Sequence, residues 1–218
     1  MILQYVGKFL GLSSSVLLLA GIVFLMLPKR RKKSGLVLVY VALIFAIEVG
    51  CNMHAMLYNT QNLYLFSISS YLHFAFLTYV FYHKLLKLSA KVFVPLILLG
   101  LVPLYFNLNP DVSIVSFQSF DRSIYSFVIM LYALFYLYIL MKRQQLQKSK
   151  NLRFTISVVL FFSIDALLAV GTNFLVNEHI ALVAGFWIFR ALLLHLYYWS
   201  VIYYLWKIGK THQPLLHG

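Results

Sequence analysis

The last apolar run of the chain, Ala181–Trp206, constrains the fold more than any other feature of the sequence. It is long enough to cross a bilayer as a helix, yet Arg190 lies near its middle and His195 follows five residues later. A guanidinium at that depth is costly unless it faces protein or water and has a partner. The rest of the chain must therefore place a partner for Arg190 inside the membrane.

Comparable apolar runs recur along the whole sequence. Hydrophobic residues make up 62% and charged residues 11% of the chain, whereas a soluble domain has about 25% charged residues. Because lipid leaves no partner for open strand edges, each run is expected to be a helix. We predict an all-α polytopic membrane protein, a single domain over residues 1–218 with no soluble domain. The seven predicted spans are approximately 6–28, 36–56, 63–82, 92–106, 122–141, 154–175 and 181–205.

The charges indicate an orientation. Of the 18 Lys and Arg residues, 15 lie in four segments that fall on one side if every run crosses once, and none of the five acids lies there. This positive-inside pattern predicts an outside N-terminus and an inside C-terminus. The net charge of +13 then reflects topology and contact with anionic lipid headgroups at the inner loops, and not nucleic-acid binding. The basic segments are Lys29–Lys33, His83–Lys91, Lys142–Arg153 and the tail with Lys207 and Lys210.

Ionisable residues within the spans are the candidate functional residues, because such residues are rare in membranes and commonly functional. Glu48, His73, Asp165 and Arg190 are all predicted to lie near the midplane. We expect Arg190 to pair with Asp165, and Glu48 to have His73 as its nearest base. The principal candidates for a ligand or ion pathway are Glu48, Asn52, His73, Asp165 and Arg190, and the secondary candidates are Ser69, Ser70, Thr172 and His195.

Other polar residues have a plainer interpretation. His195 is expected to be a hydrogen-bonded packing residue, since five positions on a helix separate it from Arg190 by about 140°. Asp121 and Arg122, at the predicted outer edge, are expected to be solvated, as are Glu178 and His179. The midplane set itself has two interpretations: a polar cavity for an ion, proton or small solute, or dry ion pairs that fix helix packing.

The sequence also contains a short internal match. Residues 43–48 (LIFAIE) align without gaps on residues 160–165 (LFFSID), and at the same offset His73 falls on Arg190. This predicts a 3+1+3 arrangement, in which halves 1–91 and 122–210 are parallel repeats. The linking span 92–106 is expected to be kinked by Pro95 and Pro103. Small transporters are built in this way, with the site at the midplane between the halves.

Enzymatic chemistry has little support in the sequence. Cys51 is the only cysteine, so neither a disulfide within the chain nor a cysteine-rich metal site is available. No HExxH, G-x-S-x-G or dense histidine cluster is present. We therefore assign no catalytic residues, no metal and no cofactor. An intramembrane lipid enzyme is the weakest alternative.

At the level of pattern, the chain resembles small seven-helix bacterial membrane proteins. The features that carry the resemblance are Ser13-Ser14, Glu48, Phe120–Arg122 and the segment from Trp187 to His195. The resemblance implies a seven-helix fold, location in a bacterial inner membrane and no particular activity. The topology is similar to that of the SWEET and PnuC transporters, although their diagnostic motifs are absent, so only the architecture is shared.

Two classes of function follow. The first is transport or permeation of a small solute, ion or proton through the midplane cluster. The second is a membrane-embedded sensor or accessory subunit that acts through a partner, either another membrane or cytoplasmic protein or a second copy of the chain. Flux through the purified protein would favour the first, and a stoichiometric partner would favour the second.

Overall fold

A computed structural model describes residues 2–26, 28–58, 63–108, 120–144 and 151–210. Most of the predicted loops at 107–121 and 142–151 lies outside this part of the chain. The described secondary structure is helical throughout, with no strand in these ranges, so the all-α prediction is confirmed. The helices are α1 (Ile2–Met26), α2 (Pro28–Tyr58), α3 (Leu63–Thr78, continued by a π-helix over Tyr79–Leu85), α4 (Ala90–Leu99), α5 (Leu101–Leu108), α6 (Phe120–Lys142), α7 (Leu152–Glu178) and α8 (Ile180–Lys210).

The two largest differences from the predicted spans are at the start of α2 and within the fourth span. The basic segment Lys29–Lys33 was expected to be a loop, but α2 begins at Pro28 and includes it. Proline suits the first position of a helix, and lysine and arginine are good helix formers. The predicted fourth span is divided at Gly100 into α4, which contains Pro95, and α5, which contains Pro103. The Tyr125 hydroxyl of α6 donates a hydrogen bond to the Gly100 carbonyl at 2.6 Å. This backbone carbonyl at the break between α4 and α5 therefore has a partner inside the bundle.

Six helices form a closed ring in the order α1, α2, α3, α6, α7, α8, with α8 returning to α1. The α4–α5 segment lies outside the ring, against α3 and α6. Ring neighbours approach closely where glycine allows it. A Cβ on Gly21 would lie 3.0 Å from the Ile202 side chain, and one on Gly11 would lie 2.8 Å from Asn52. The interior of this ring is where the candidate residues lie.

Side-chain contacts give the direction of each helix. On α1, Gly11 faces Asn52 and Gly21 faces Val41, so residue numbers rise along α1 as they fall along α2. On α7, Phe154 stacks on Tyr204 and Asp165 bonds to Arg190, so α7 and α8 are antiparallel too. In the contacts of α3 with α6, and of α1 with α8, residue numbers increase in the same direction along both helices, so each of these pairs is parallel. One end of the bundle, which we call the basic end, therefore carries Lys84, Lys142, Arg143 and Arg153.

The distribution of polarity is that of an integral membrane protein. Five helices are long and apolar enough to cross a bilayer, and shorter apolar helices cover Leu38–His54 and Lys91–Phe106. Large apolar side chains such as Leu167 and Phe9 are exposed on the outside, whereas Asp165 and Arg122 are buried inside. Soluble monomers seldom expose so much contiguous apolar surface. The number of crossings and their orientation remain predictions.

Candidate functional site

All six helices of the ring contribute polar side chains to its interior. Glu48, His73 and Arg190 each lie ten residues from the end of their helix that is remote from the basic end. This corresponds to about 15 Å of helix. These three residues therefore lie at a common level along the bundle, and their place at the midplane of a membrane remains a prediction. They divide into two sets, one centred on Asp165 and the other on Glu48.

Asp165, on α7, is the most heavily bonded residue of the site. Arg122 on α6 donates from Nη2 to Oδ1 at 2.5 Å and from Nε to Oδ2 at 3.2 Å. Ser126, one turn after Arg122, donates to Oδ2 at 2.8 Å, and Arg190 on α8 donates from Nε to Oδ1 at 3.0 Å. The carboxylate is 3% exposed. Its four donors, three of them charged, compensate for the loss of water.

The predicted contact between Arg190 and Asp165 is present, but Arg190 uses only its Nε in it. The terminal nitrogens of Arg190 have no hydrogen-bond acceptor within the described ranges. The guanidinium lies over aromatic rings, 5.7 Å from the centroid of Trp187 and 6.0 Å from that of Phe66. Its side chain is 14% exposed, against 5% for Arg122. Arg190 thus has more unused donors than Arg122, and they are less deeply buried.

The expectation that Asp121 and Arg122 are solvated is wrong. Both are buried, and Arg122 is the main partner of Asp165. Arg122 lies only two residues into α6, but its long side chain reaches a turn deeper, where Asp165 lies. A sequence signal existed, because Arg122 and Ser126 are four residues apart and share a helix face. Neither carboxylate oxygen of Asp121 has a hydrogen-bond partner among the described residues.

Glu48, on α2, has a weaker set of partners. The Tyr198 hydroxyl donates to Oε1 at 3.0 Å. Ser14 Oγ approaches Oε2 at 3.4 Å, but it also donates its single proton to the Gly11 carbonyl, with 2.8 Å between the two oxygens. Arg190 is close enough to act electrostatically on Glu48 without bonding to it. Glu48 is also only partly buried. Among the carboxylates of the ring that have a hydrogen-bond partner, that of Glu48 is the most weakly bonded.

The predicted pairing of Glu48 with His73 is wrong. His73 on α3 is buried, and its Nδ1 lies 2.6 Å from the Tyr40 hydroxyl, which is 3.2 Å from the Tyr197 hydroxyl. The rotation of α3 presents His73 to these tyrosines. Its ring stacks against that of Tyr198, with centroids 6.3 Å apart, and Tyr198 in turn donates to Glu48. His73 and Glu48 therefore share a neighbour without forming an ion pair.

The remaining candidates mainly connect helices or cap backbone. Asn52 donates to the Gly11 carbonyl at 3.1 Å and to Ser15 at 3.2 Å, which joins α2 to α1. His195 has the packing role predicted for it, with Nε2 2.8 Å from the Ser13 hydroxyl and Nδ1 2.7 Å from the Ala191 carbonyl. The Ser70 and Thr172 hydroxyls donate to carbonyls of their own helices, and Ser69 is half-buried. Glu178 and His179 are exposed, as expected.

Metal-binding groups do not converge in this site. Within the described ranges, no three His, Cys, Asp or Glu side chains are placed to hold a metal ion. The arrangement instead offers an arginine with unused donors, a weakly bonded carboxylate and a histidine–tyrosine chain. Such groups can bind a polar solute or exchange protons.

Comparison with known proteins gives no further constraint. No family model, curated protein or solved structure matches the chain.

Proposed function

We propose that this protein transports a small solute, ion or proton across the membrane through the interior of the six-helix ring. The observation that carries the proposal is the incomplete bonding of Glu48 and Arg190. Each is partly exposed and lies ten residues from the end of its helix that is remote from the basic end, and each has oxygen or nitrogen atoms without a strong partner within the described ranges. Charged groups in a membrane interior commonly mark the pathway of a substrate or ion.

The order of helices in the ring supports a 3+1+3 arrangement within this proposal. The neighbours α1–α2–α3 and α6–α7–α8 form equivalent series, and each series meets the other at both ends. In both series an acid on the second helix accepts a hydrogen bond from a serine on the first, Glu48 from Ser14 and Asp165 from Ser126. The α4–α5 segment is peripheral, as expected of a linker. The solute would pass between the two halves.

The test is flux in proteoliposomes. Proton flux is followed with an internal pH dye, and uptake is measured for K⁺, Cl⁻, glutamate and glucose. Glu48→Gln should abolish the flux that the wild type shows, because it removes the charge while keeping an acceptor for Tyr198. Glu178→Gln, which neutralises an exposed acid at the end of α7, is the matched control and should retain flux. Equal flux in the wild type and Glu48→Gln would overturn the proposal.

A second candidate, a sensor or accessory subunit, is favoured by the complete bonding of Asp165. A carboxylate with four donors and 3% exposure is suited to fixing three helices together, with no solute involved. The protein would then act through a partner at its basic end. Neutralising Lys142, Arg143 and Arg153 together should release a co-purifying partner. Undiminished co-purification would count against this function.

A further inference from the structure

A groove separate from the central site opens between α7 and α8 near the basic end. Its volume is about 310 Å³. Arg153 and Ser157 of α7 line one side, and Trp199, Ser200 and Tyr203 of α8 line the other. Its floor is formed by the stacked rings of Phe154 and Tyr204, whose centroids are 4.4 Å apart. The groove therefore combines one cation with a largely aromatic wall.

The groove lies where two apolar helical spans, Leu152–Thr172 and Leu182–Tyr204, reach the basic end. Arg153 is the second residue of α7, and Tyr204 donates to Asn151, the residue just before that helix, at 2.9 Å. Trp199 is 64% exposed, so its ring faces the surroundings of the bundle. Tryptophan and tyrosine are typical of the membrane–water interface.

The polar groups of the groove define what could bind there. The Arg153 side chain is exposed and makes no ion pair or hydrogen bond with another described residue, so its fork of donors is free for an anion. Ser157 donates to the Arg153 carbonyl, and Ser200 donates to the Tyr197 carbonyl. Their oxygens therefore remain as acceptors for hydroxyl groups. None of the described residues that line the groove is a carboxylate, so they offer an ammonium group no counter-ion.

We propose that this groove binds the headgroup of an anionic phospholipid. The phosphate contacts Arg153, the headgroup hydroxyls donate to Ser157 and Ser200, and the glycerol and first acyl carbons lie against Trp199. The apolar wall distinguishes a lipid from free phosphate, which would leave that surface uncovered. This binding does not depend on the function of the central site.

The experiment uses the full chain in detergent, with binding of dioleoyl phosphatidylglycerol and dioleoyl phosphatidylcholine measured by native mass spectrometry. The wild type should bind phosphatidylglycerol more tightly. Arg153→Gln should weaken this binding by about five-fold, the effect of one cation near a membrane surface. Arg143→Gln removes a charge from the same end but outside the groove, and should bind as the wild type does.

Two results would overturn the proposal: equal affinity for the two lipids, or equal loss in Arg153→Gln and Arg143→Gln, which would indicate diffuse attraction to the basic end. Arg153→Lys keeps the charge and removes the fork, so it should bind with intermediate affinity. It also keeps the test decisive if Arg153→Gln does not fold. Added sodium phosphate should not compete, because the site requires the acyl portion, and competition at millimolar phosphate would contradict a lipid site.

Discussion

Asp165 and Glu48 occupy matching positions in the sequence but have different surroundings in the structure. Both are single acids in an apolar helix, and each accepts a hydrogen bond from a serine on the preceding ring helix. Asp165 also binds two guanidinium groups, whereas Glu48 has no ion pair among the described residues and one short bond, from Tyr198. The difference shows that an acid in an apolar helix can either hold neighbouring helices together through a full set of hydrogen bonds or keep oxygens that are free to bond another group.

The largest expected effect follows from removing the charge of Asp165. Asp165→Asn leaves Arg122 and Arg190 without their carboxylate inside the bundle. Breaking a buried pair in this way costs about 3–5 kcal/mol. The measurement is the free energy of unfolding in detergent, and Glu178→Gln, at the exposed end of the same helix, should be unchanged. If both variants were equally stable, Asp165 would not be a joint between helices.

A smaller difference is expected between the two arginines. Arg122→Gln removes two bonds from a buried side chain and should cost about 3 kcal/mol. Arg190→Gln removes one bond from a less buried side chain and should cost about 1.5 kcal/mol, the lower range for a charged hydrogen bond. Unfolding of both single variants and of the double variant is measured. The effects should not add, because both residues share Asp165. An Arg190 effect larger than that of Arg122 would reverse this ranking.

The smallest effects are expected around Glu48. Tyr198→Phe removes its short hydrogen bond and should lower the free energy of unfolding by about 1 kcal/mol. Ser14→Ala should cost less, since Ser14 shares its proton with the Gly11 carbonyl. Thermal and denaturant unfolding of the two variants check the order. If either variant lowered the free energy of unfolding as much as Asp165→Asn does, Glu48 would stabilise the bundle as strongly as Asp165. The proposed difference between the two acids would then be wrong.

Much of the fold was predictable, because in lipid every span must be helical and long enough to cross. The depth of Glu48, His73 and Arg190 also followed from counting residues along each helix. The partner of His73 did not, because it depends on how α3 is rotated and on which helices are its neighbours. The role of Arg122 was missed for a different reason: its Cα lies near the end of α6, but its side chain extends to Asp165.

By itself the sequence determined the all-helical class, the approximate positions of most helices and the common level of Glu48, His73 and Arg190 along them. These follow from local composition and from the regular rise of a helix. Only the tertiary structure decided that the helices close into a ring and that Arg122, not Arg190 alone, neutralises Asp165. It also decided that Glu48 bonds to tyrosine and serine in place of His73. These contacts depend on which helices are neighbours and how each is rotated. The sequence does not determine this packing, because the apolar faces of the helices have similar compositions.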